Sequence, residues 1–485
     1  ILSCMEYFYA IIAGTFYGLT IGIIPGAGAT TGLVALYPFV GLFLVLGDPY
    51  LGVVFLMAVV AASTTGDTYT SVLLGIPGAN SAAATVVDGF PLAQQGRAAY
   101  AISAAVTVST LNGLLWGSLV FLLLPWYSNL IMFFGTPELW AFTLLAFVTV
   151  VFVTNRLWVR SIIALLFGLY LGLVGVDPVT ASNRFTLGWD YLGGGIQIMP
   201  LVAGLFAVPE LLAGFNRKSA NSQAQSNFQQ TRESFAAVWQ NRWLALRGGF
   251  IGAFVGVLPG LGGAVADWMS YGQTVATNPN EKIKFGSGNI KGVIGPEGAN
   301  NAQKASSMIP TVLFGIPGAP FAAILMSLFM YLGLEMGTPI LLEDKTFFTA
   351  MTFGFLAATI LVALICIPLT PTIARAAQIN YVYYFPVLLL FIIWACVQYT
   401  GGWEDYAVLS IFSLLGIACK KYRFSRPALL IGYILADRIE SLSLQMTALY
   451  SFEELLQRPL FLSMIGSCIC VVLYSILKQN SIDYA

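Results

Sequence analysis

Histidine is absent from all 485 residues. Its absence removes the side chain most often used as a general base near neutral pH, and the usual zinc and haem ligand. Charge is scarce too. Asp, Glu, Lys and Arg make up 9% of the chain, against roughly 25% in a soluble globular domain. So few charges cannot cover a water-facing surface of this size, and a soluble enzyme is excluded. Neither sign is in excess, with 22 Lys and Arg against 22 Asp and Glu, so nothing argues for a nucleic-acid partner. The six cysteines (Cys4, Cys366, Cys396, Cys419, Cys468, Cys470) form no CxxC pair and lie mostly in apolar segments. Small apolar filler accounts for them better than redox or metal chemistry. No basic segment followed by a cleavage site opens the chain, so no removable signal peptide is expected.

What is abundant is apolar. Hydrophobic residues make up 58% of the chain and the mean hydropathy is +0.81. From Ala98 to Asn155 the only charged side chain is Glu138. About 20 mostly apolar residues suffice for one transmembrane helix, so that stretch alone holds two. The apolar runs are continuous rather than alternating with period two, which argues against a β-barrel. An all-α polytopic membrane protein is predicted. Apolar segments read at about 7–24, 30–46, 49–62, 98–124, 139–154, 158–176 and 196–215, then at 248–276, 307–332, 347–369, 384–399, 404–419, 427–436 and 460–477.

Between the two sets lies a polar stretch, residues 216–247, with Arg217, Lys218, Arg232, Arg242 and Arg247 against the single acid Glu233. The positive-inside rule places it on the cytoplasmic side. Lys420, Lys421, Arg423 and Arg426 mark a second basic loop of the same kind. The chain thus divides into a first half, 1–215, the linker 216–247, and a second half, 248–485.

The halves repeat each other. Gly14 to Gly28 read GTFYGLTIGIIPGAG and Gly248 to Gly262 read GGFIGAFVGVLPGLG, identical at seven of fifteen positions. Ser71 to Ala84 read SVLLGIPGANSAAA and Thr311 to Ile324 read TVLFGIPGAPFAAI, identical at nine of fourteen. Two duplicated halves are the pattern of secondary transporters, whose repeats are commonly inverted and whose broken helices meet near the membrane midplane. Glycine at every fourth position (14, 18, 22, 26 and 248, 252, 256, 260) leaves a groove along one helix face for close packing. Pro-Gly-x-Gly at the end of each run removes a donor and permits φ > 0, so a helix break is expected there.

In hydrocarbon such breaks persist only where protein or a water-lined cavity satisfies the freed groups. New helix starts attract carboxylates, and freed carbonyls can hold Na⁺. The candidate substrate and cation site therefore takes Pro25, Gly26, Gly28, Thr30, Gly75, Pro77, Gly78, Asn80 and Ser81, with Asp67, Thr68 and Thr70 just ahead of the first GIPGA block. From the second half it takes Pro259, Gly260, Gly262, Asn300, Asn301, Thr311, Gly315, Pro317 and Gly318. Small hydroxyl and amide groups suit both alkali cations and anions, and no metal is expected beyond a transported Na⁺. Asp67, inside a small-residue segment, reads as functional, because intramembrane charge usually is. For Asp88, Arg97, Glu297 and Lys304, a solvated loop and a functional role both stand open. Asp267 follows the second Pro-Gly-x-Gly.

These motifs carry a resemblance. The chain resembles the large membrane subunit (TctA-type) of the tripartite tricarboxylate transporter family. The likeness lies in GTFYGLTIGIIPGAG, in GDTYTSVLLGIPGANSAAATVVDGFPLAQQGRAAYA at 66–101, in PEGANNAQKASSMIPTVLFGIPGAP at 296–320 and in PALLIGYILADRIESLS at 427–443. Where the family often has Gly-Ser or a similar small pair, this chain has Gly66-Asp67, a difference that bears on ion stoichiometry or substrate. The resemblance implies a multi-pass protein of the bacterial inner membrane. It implies two partners, a small membrane subunit (TctB-type) and a periplasmic substrate-binding protein (TctC-type), and uptake of a carboxylate driven by Na⁺ or H⁺. The carboxylates of such systems include tricarboxylates, dicarboxylates and aromatic acids. ATP hydrolysis is not implied, and no GxxxxGKS/T phosphate loop is present.

Two other classes compete with a transporter. A channel would pass solute without a coupling ion, usually through rings built by oligomer symmetry rather than by duplication within one chain. An intramembrane enzyme would need GxGD, whereas Asp67 sits in Thr-Thr-Gly-Asp, or a Ser-Lys pair, for which Lys304 beside Ser306 is the sole candidate. An enzyme is not expected.

Overall fold

A computed structural model describes residues 2–24, 28–75, 77–127, 134–152, 157–177, 182–215, 228–337, 344–376, 384–397 and 402–482. In the first half the helices are α1 Leu2–Ile23, α2 Gly28–Val45, α3 Pro49–Leu74, α4 Ala83–Gln94, α5 Ala98–Tyr127, α6 Thr136–Phe152, α7 Trp158–Gly172, α8 Ile198–Val202 and α9 Val208–Phe215. A π-helical turn, Ala203–Ala207, joins the last two. Then come α10 Phe228–Gln240, α11 Arg242–Val257, α12 Gly262–Thr277, α13 Lys291–Ser306, α14 Met308–Phe314 and α15 Pro320–Tyr331. The chain closes with α16 Lys345–Ala376, α17 Tyr384–Val397, α18 Glu404–Tyr422, α19 Arg426–Leu449, α20 Phe452–Leu456 and α21 Pro459–Ile482. Among the described residues, four helices are long and apolar enough to cross a membrane: Gly28–Val45, Pro49–Leu74, Ala98–Leu123 and Lys345–Thr370. The protein is an all-α polytopic membrane protein, with one two-residue antiparallel ladder at Gly175–Val176 and Asn183–Arg184.

Local chemistry sets the helix ends. Asp48 caps α3 by accepting from the Tyr50 and Leu51 N–H groups, with Pro49 at the first helical position. Its second oxygen accepts from the Tyr7 hydroxyl at 2.7 Å, which brings the end of α2 back beside the start of α1. Tyr17 donates to the Gly32 carbonyl at 2.8 Å, so α1, ending at Ile23, and α2, starting at Gly28, lie against each other as a hairpin. Ser425 caps α19. Ser451 and Glu454 build a capping box on α20, and the Ser451 N–H and hydroxyl hold the Glu454 carboxyl below the usual carboxylate range.

The glycine faces decide how the hairpins dock. A Cβ on Gly14, Gly18 or Gly22 would lie within 2.6 Å of the carbonyl oxygens of Phe55, Val59 and Ser63 on α3. A Cβ on Gly248, Gly252 or Gly256 would meet the carbonyls of Gly295, Ala299 and Gln303 on α13 equally closely. The second set of carbonyls lies 240 residues after the first, residue for residue. The two halves therefore share a hairpin lying against a third helix, backbone to backbone. The third helices cross each other. Lys304 Nζ reaches Val60 and Ser63, while Thr68 reaches Glu297, so numbering rises along α3 as it falls along α13. Antiparallel equivalents are what inverted repeats require.

Two segments differ from the hydropathy reading. The apolar segment ends at 436 because Asp437, Arg438 and Glu440 follow, yet α19 continues to Leu449. Its Glu440 pairs with Arg184 at 2.6 Å. The polar stretch holding Glu297, Asn300, Asn301 and Lys304 is buried along the whole of α13 from Gly292 to Ser306. Hydropathy missed that helix because its charged groups turn to partners inside the protein, Glu297 to Thr68 and Thr85 and Lys304 to Ser63. Within 216–247, α10 and the first turns of α11 are helical.

The glycine contacts predict an asymmetric response to added side chains. Gly252→Leu should destabilise the protein by ~3 kcal/mol, as overpacking into a backbone does. At Gly272 a Cβ would meet nothing within 4 Å, so Gly272→Ala should be neutral or stabilising by up to ~1 kcal/mol. Thermal unfolding of the two purified variants in detergent checks the contrast.

Candidate functional site

The two GIPGA blocks adopt one conformation. Gly75 ends α3 at φ 64°, ψ 23°, and Gly315 ends α14 at φ 62°, ψ 28°. Both lie in the left-handed region that glycine enters without a Cβ clash. Ala79 and Ala319 are both extended, at φ −130° and −155°, and neither new helix start receives a side-chain cap. Gly78 lies against Asp67, where a Cβ would sit 2.7 Å from its Cα and 2.8 Å from Oδ1. Gly318 lies against Ser307 in the same way, and Ser307 is the residue 240 after Asp67. Gly28, Gly260 and Gly262 all have positive φ, at 54°, 83° and 69°. Pro25, Gly26 and the side chain of Asn80 lie outside the described residues.

The blocks meet at one cavity of about 520 Å³. Thr30, Ala79 and Ser81 line it from the first half, and Gly260, Gly262 and Ala319 from the second. Gly28 abuts Ala79, with 2.8 Å from a glycine Cβ to the Ala79 Cβ. The starts of α12 and α15 both open here without a capping side chain. Freed N–H groups at a helix start attract negative charge. Gln303 and Lys304 of α13 complete the inner wall, and Lys420, Arg423 and Arg426 of the α18–α19 turn complete the outer one.

Several predicted residues serve the fold around the cavity instead of lining it. The Thr70 hydroxyl donates to the Asp67 carbonyl at 2.9 Å. Thr311 donates to the Ser307 carbonyl at 2.6 Å and accepts from the Gly318 N–H at 3.1 Å, bracing the GIPGA turn from within. Pro259 offers its carbonyl to Thr149 at 2.5 Å. Asn301 faces α5, where a Cβ on Gly113 would be 3.0 Å from its own Cβ. Asn300 lies beside Glu297 without reaching hydrogen-bond geometry. Pro77, Pro317 and Gly315 belong to the turns themselves.

The four open charges occupy four different environments. Glu297 is fully buried and accepts from Thr68 at 3.1 Å and from Thr85 at 2.8 Å. Lys304, 3% exposed, donates to Ser63 Oγ at 3.1 Å and, at longer range, to the Val60 carbonyl at 3.4 Å. Asp88 is structural. One of its oxygens accepts from the N–H groups of Gly286, Gly288 and Asn289 at 2.8–3.0 Å, and the other from the Tyr271 hydroxyl at 3.0 Å. Arg97 is half-buried, pairs with Glu233 at 3.1 Å and stacks on Tyr100. It belongs to another surface. Asp67 and Asp267 are fully buried, and neither carboxylate has a hydrogen-bond donor among the described residues.

Sequence reasoning missed Gln303 and took 420–426 for an ordinary basic loop. The composition marked that cluster but could not say that the turn closes over the duplicated motifs.

A family model described as "Tripartite tricarboxylate transporter TctA family" matches residues 8–431. The chain is similar to an uncharacterized 52.8 kDa protein in the TAR-I ttuC' 3' region of Agrobacterium vitis. It is 27% identical over 432 residues, which cover 88% of this chain and 84% of that one. A second uncharacterized protein, in the TAR-II ttuC' 3' region of the same organism, is 28% identical over 228 residues, 46% of this chain and 93% of that protein. No solved structure matches.

Asp88 gives a stability prediction free of transport. Asp88→Ala leaves three backbone donors and one hydroxyl without their acceptor and should cost roughly 3 kcal/mol or more. Asp88→Asn keeps an acceptor oxygen and should cost about 1 kcal/mol. Thermal unfolding of both variants tests this order.

Proposed function

Because this chain belongs to the tripartite tricarboxylate transporter TctA family, we propose that it is the large membrane subunit of a cation-coupled carboxylate permease. The observation that carries the reading is the single cavity where paired helix breaks from both halves meet under a cationic wall of Lys304, Lys420, Arg423 and Arg426. An organic anion entering it meets uncapped helix starts and basic side chains together. Neither alone compensates a multiply charged carboxylate, since burying an unpaired charge is very costly.

Charge balance supports the coupling ion. Asp67, Asp267, Glu297 and Lys304 are all buried, and the three acids and the one cation are near enough to act on one another electrostatically. With all four ionised, three charges less one leaves an excess of two negative charges in a water-poor core. Protons or Na⁺ bound with the substrate supply the difference, and an anion that arrives with cations is the logic of symport. Freed carbonyls and hydroxyls around the breaks are the oxygen ligands that Na⁺ accepts.

In this role the protein resides in the bacterial inner membrane as a transport subunit rather than an enzyme. A small TctB-type membrane subunit and a periplasmic TctC-type binding protein are its partners. The end carrying Arg97, Arg232, Arg242, Lys282, Lys284 and Lys291 faces the cytoplasm by the positive-inside rule. Substrate is delivered from the opposite end, where Asp48 and Asp344 cap α3 and α16.

Reconstitution with both partners in vesicles should give uptake of at least one of citrate, succinate and benzoate, abolished when the Na⁺ and proton gradients are both collapsed. Uptake that persists without either gradient overturns the coupling. Neutralising the outer wall with Lys420→Gln and Arg423→Gln should raise KM about threefold per charge, as expected of partly screened cations worth under ~1 kcal/mol each. The effect should shrink in high salt.

A further inference from the structure

The repeat relation isolates two residues. At a separation of 240, Asp67 corresponds to Ser307 and Lys304 to Thr64, so each half carries a charge where the other has a hydroxyl. Both charges are buried where α3 and α13 cross. Lys304 Nζ is anchored on Ser63 and the Val60 carbonyl, about one turn before Asp67. Asp67 stands one helical turn after Ser63, the residue on which the ammonium rests. Yet neither Asp67 oxygen has a hydrogen-bond donor among the described residues, so no hydrogen bond locks the two charges together.

The ammonium also belongs to the cavity. Lys304, its neighbour Gln303 and Phe321 all line it, and the Lys304 charge stands 5.8 Å from the Phe321 ring centre. Gln303 Nε2, buried and without an acceptor among the described residues, is a second donor at the same wall. Three N–H bonds point from an ammonium, and two are directed at uncharged acceptors of α3.

Resting on the carboxylate-transport reading above, we propose that Lys304 is the fixed counter-charge for one substrate carboxylate, and that Asp67 compensates it while the cavity is empty. Gln303 Nε2 donates to the same carboxylate. Substrate binding draws Lys304 away from Asp67, and the carboxylate left behind in the core then requires a proton or Na⁺. The exchange makes cation affinity and substrate affinity mutually dependent, as linkage demands.

The test uses the reconstituted complex and the carboxylate that wild-type vesicles take up fastest from citrate, succinate and benzoate. Affinity, cation dependence and thermal stability are measured for Lys304→Gln, Asp67→Asn and the double variant. Lys304→Gln should weaken substrate binding roughly 100-fold, the scale of an interaction with a buried charge left unpaired. Asp67→Asn should bind substrate at least as tightly as wild type and lose much of its cation dependence. The double variant, a neutral pair, should recover thermal stability without recovering affinity. Should Lys304→Gln fail to fold, the double variant decides alone. Wild-type affinity in either Lys304 variant overturns the exchange, because the lysine is then only a structural partner of Asp67. Wild-type vesicles that take up no carboxylate overturn the transport reading, and the exchange with it.

Discussion

Backbone resting on backbone is the contact from which the rest of this structure follows. In lipid there is no hydrophobic drive between helices, so close packing must hold them together. The side-chain-free faces of α1 and α11 let them lie directly on the carbonyl ridges of α3 and α13. That contact leaves no slack in register. It sets the α1–α2 break beside the end of α3, and it seats Gly78 on Asp67 and Gly318 on Ser307. Once the breaks are positioned, their backbone groups must be satisfied locally, which explains why Thr70 and Thr311 are turned towards the main chain. The helix starts left uncapped then converge on one cavity.

A second constraint is electrostatic. One of the most polar helices among the described residues, α13, is buried along nearly its whole length. Taking a charge out of water carries a penalty of several kcal/mol even after relaxation, so such a helix is tolerated only where partners are provided. Glu297 has Thr68 and Thr85, and Lys304 has Ser63 and a carbonyl. Asp67 and Asp267 have no donor of their own among the described residues. Incomplete matching is poor design for stability and useful for a site that must exchange partners as cations and anions come and go. Asp88 shows the contrasting case, because four donors surround it and it serves as a fixed tie between the halves.

Much of the architecture was legible from residues alone. Long apolar runs can only be membrane helices, the duplicated glycine and GIPGA blocks mark equivalent breaks, and the order of the blocks anticipates a common site. The structure gives Gly75 and Gly315 nearly the same backbone angles, as identical local sequences under identical packing should. Individual roles were less legible. Thr311 and Asn301 carry chemistry suited to a ligand, yet one braces a turn and the other packs on α5. Residue type does not record the direction in which a side chain points. Lys304 and Asp88 looked alike as charges in polar stretches, and only their neighbours separate them.

Residues alone specified an all-α membrane protein and repeated blocks at which helices break, as at Gly75 and Gly315. Those properties follow from hydropathy, from the missing Cβ of glycine and from the missing N–H of proline, all of which act within a few residues. The tertiary structure alone decided that α3 and α13 cross antiparallel, that Lys304 stands near Asp67, and that the basic turn at 420–426 closes over the breaks. Electrostatic partnership depends on distance in space, and residues 237 positions apart, as Asp67 and Lys304 are, have none until the packed backbones bring them together.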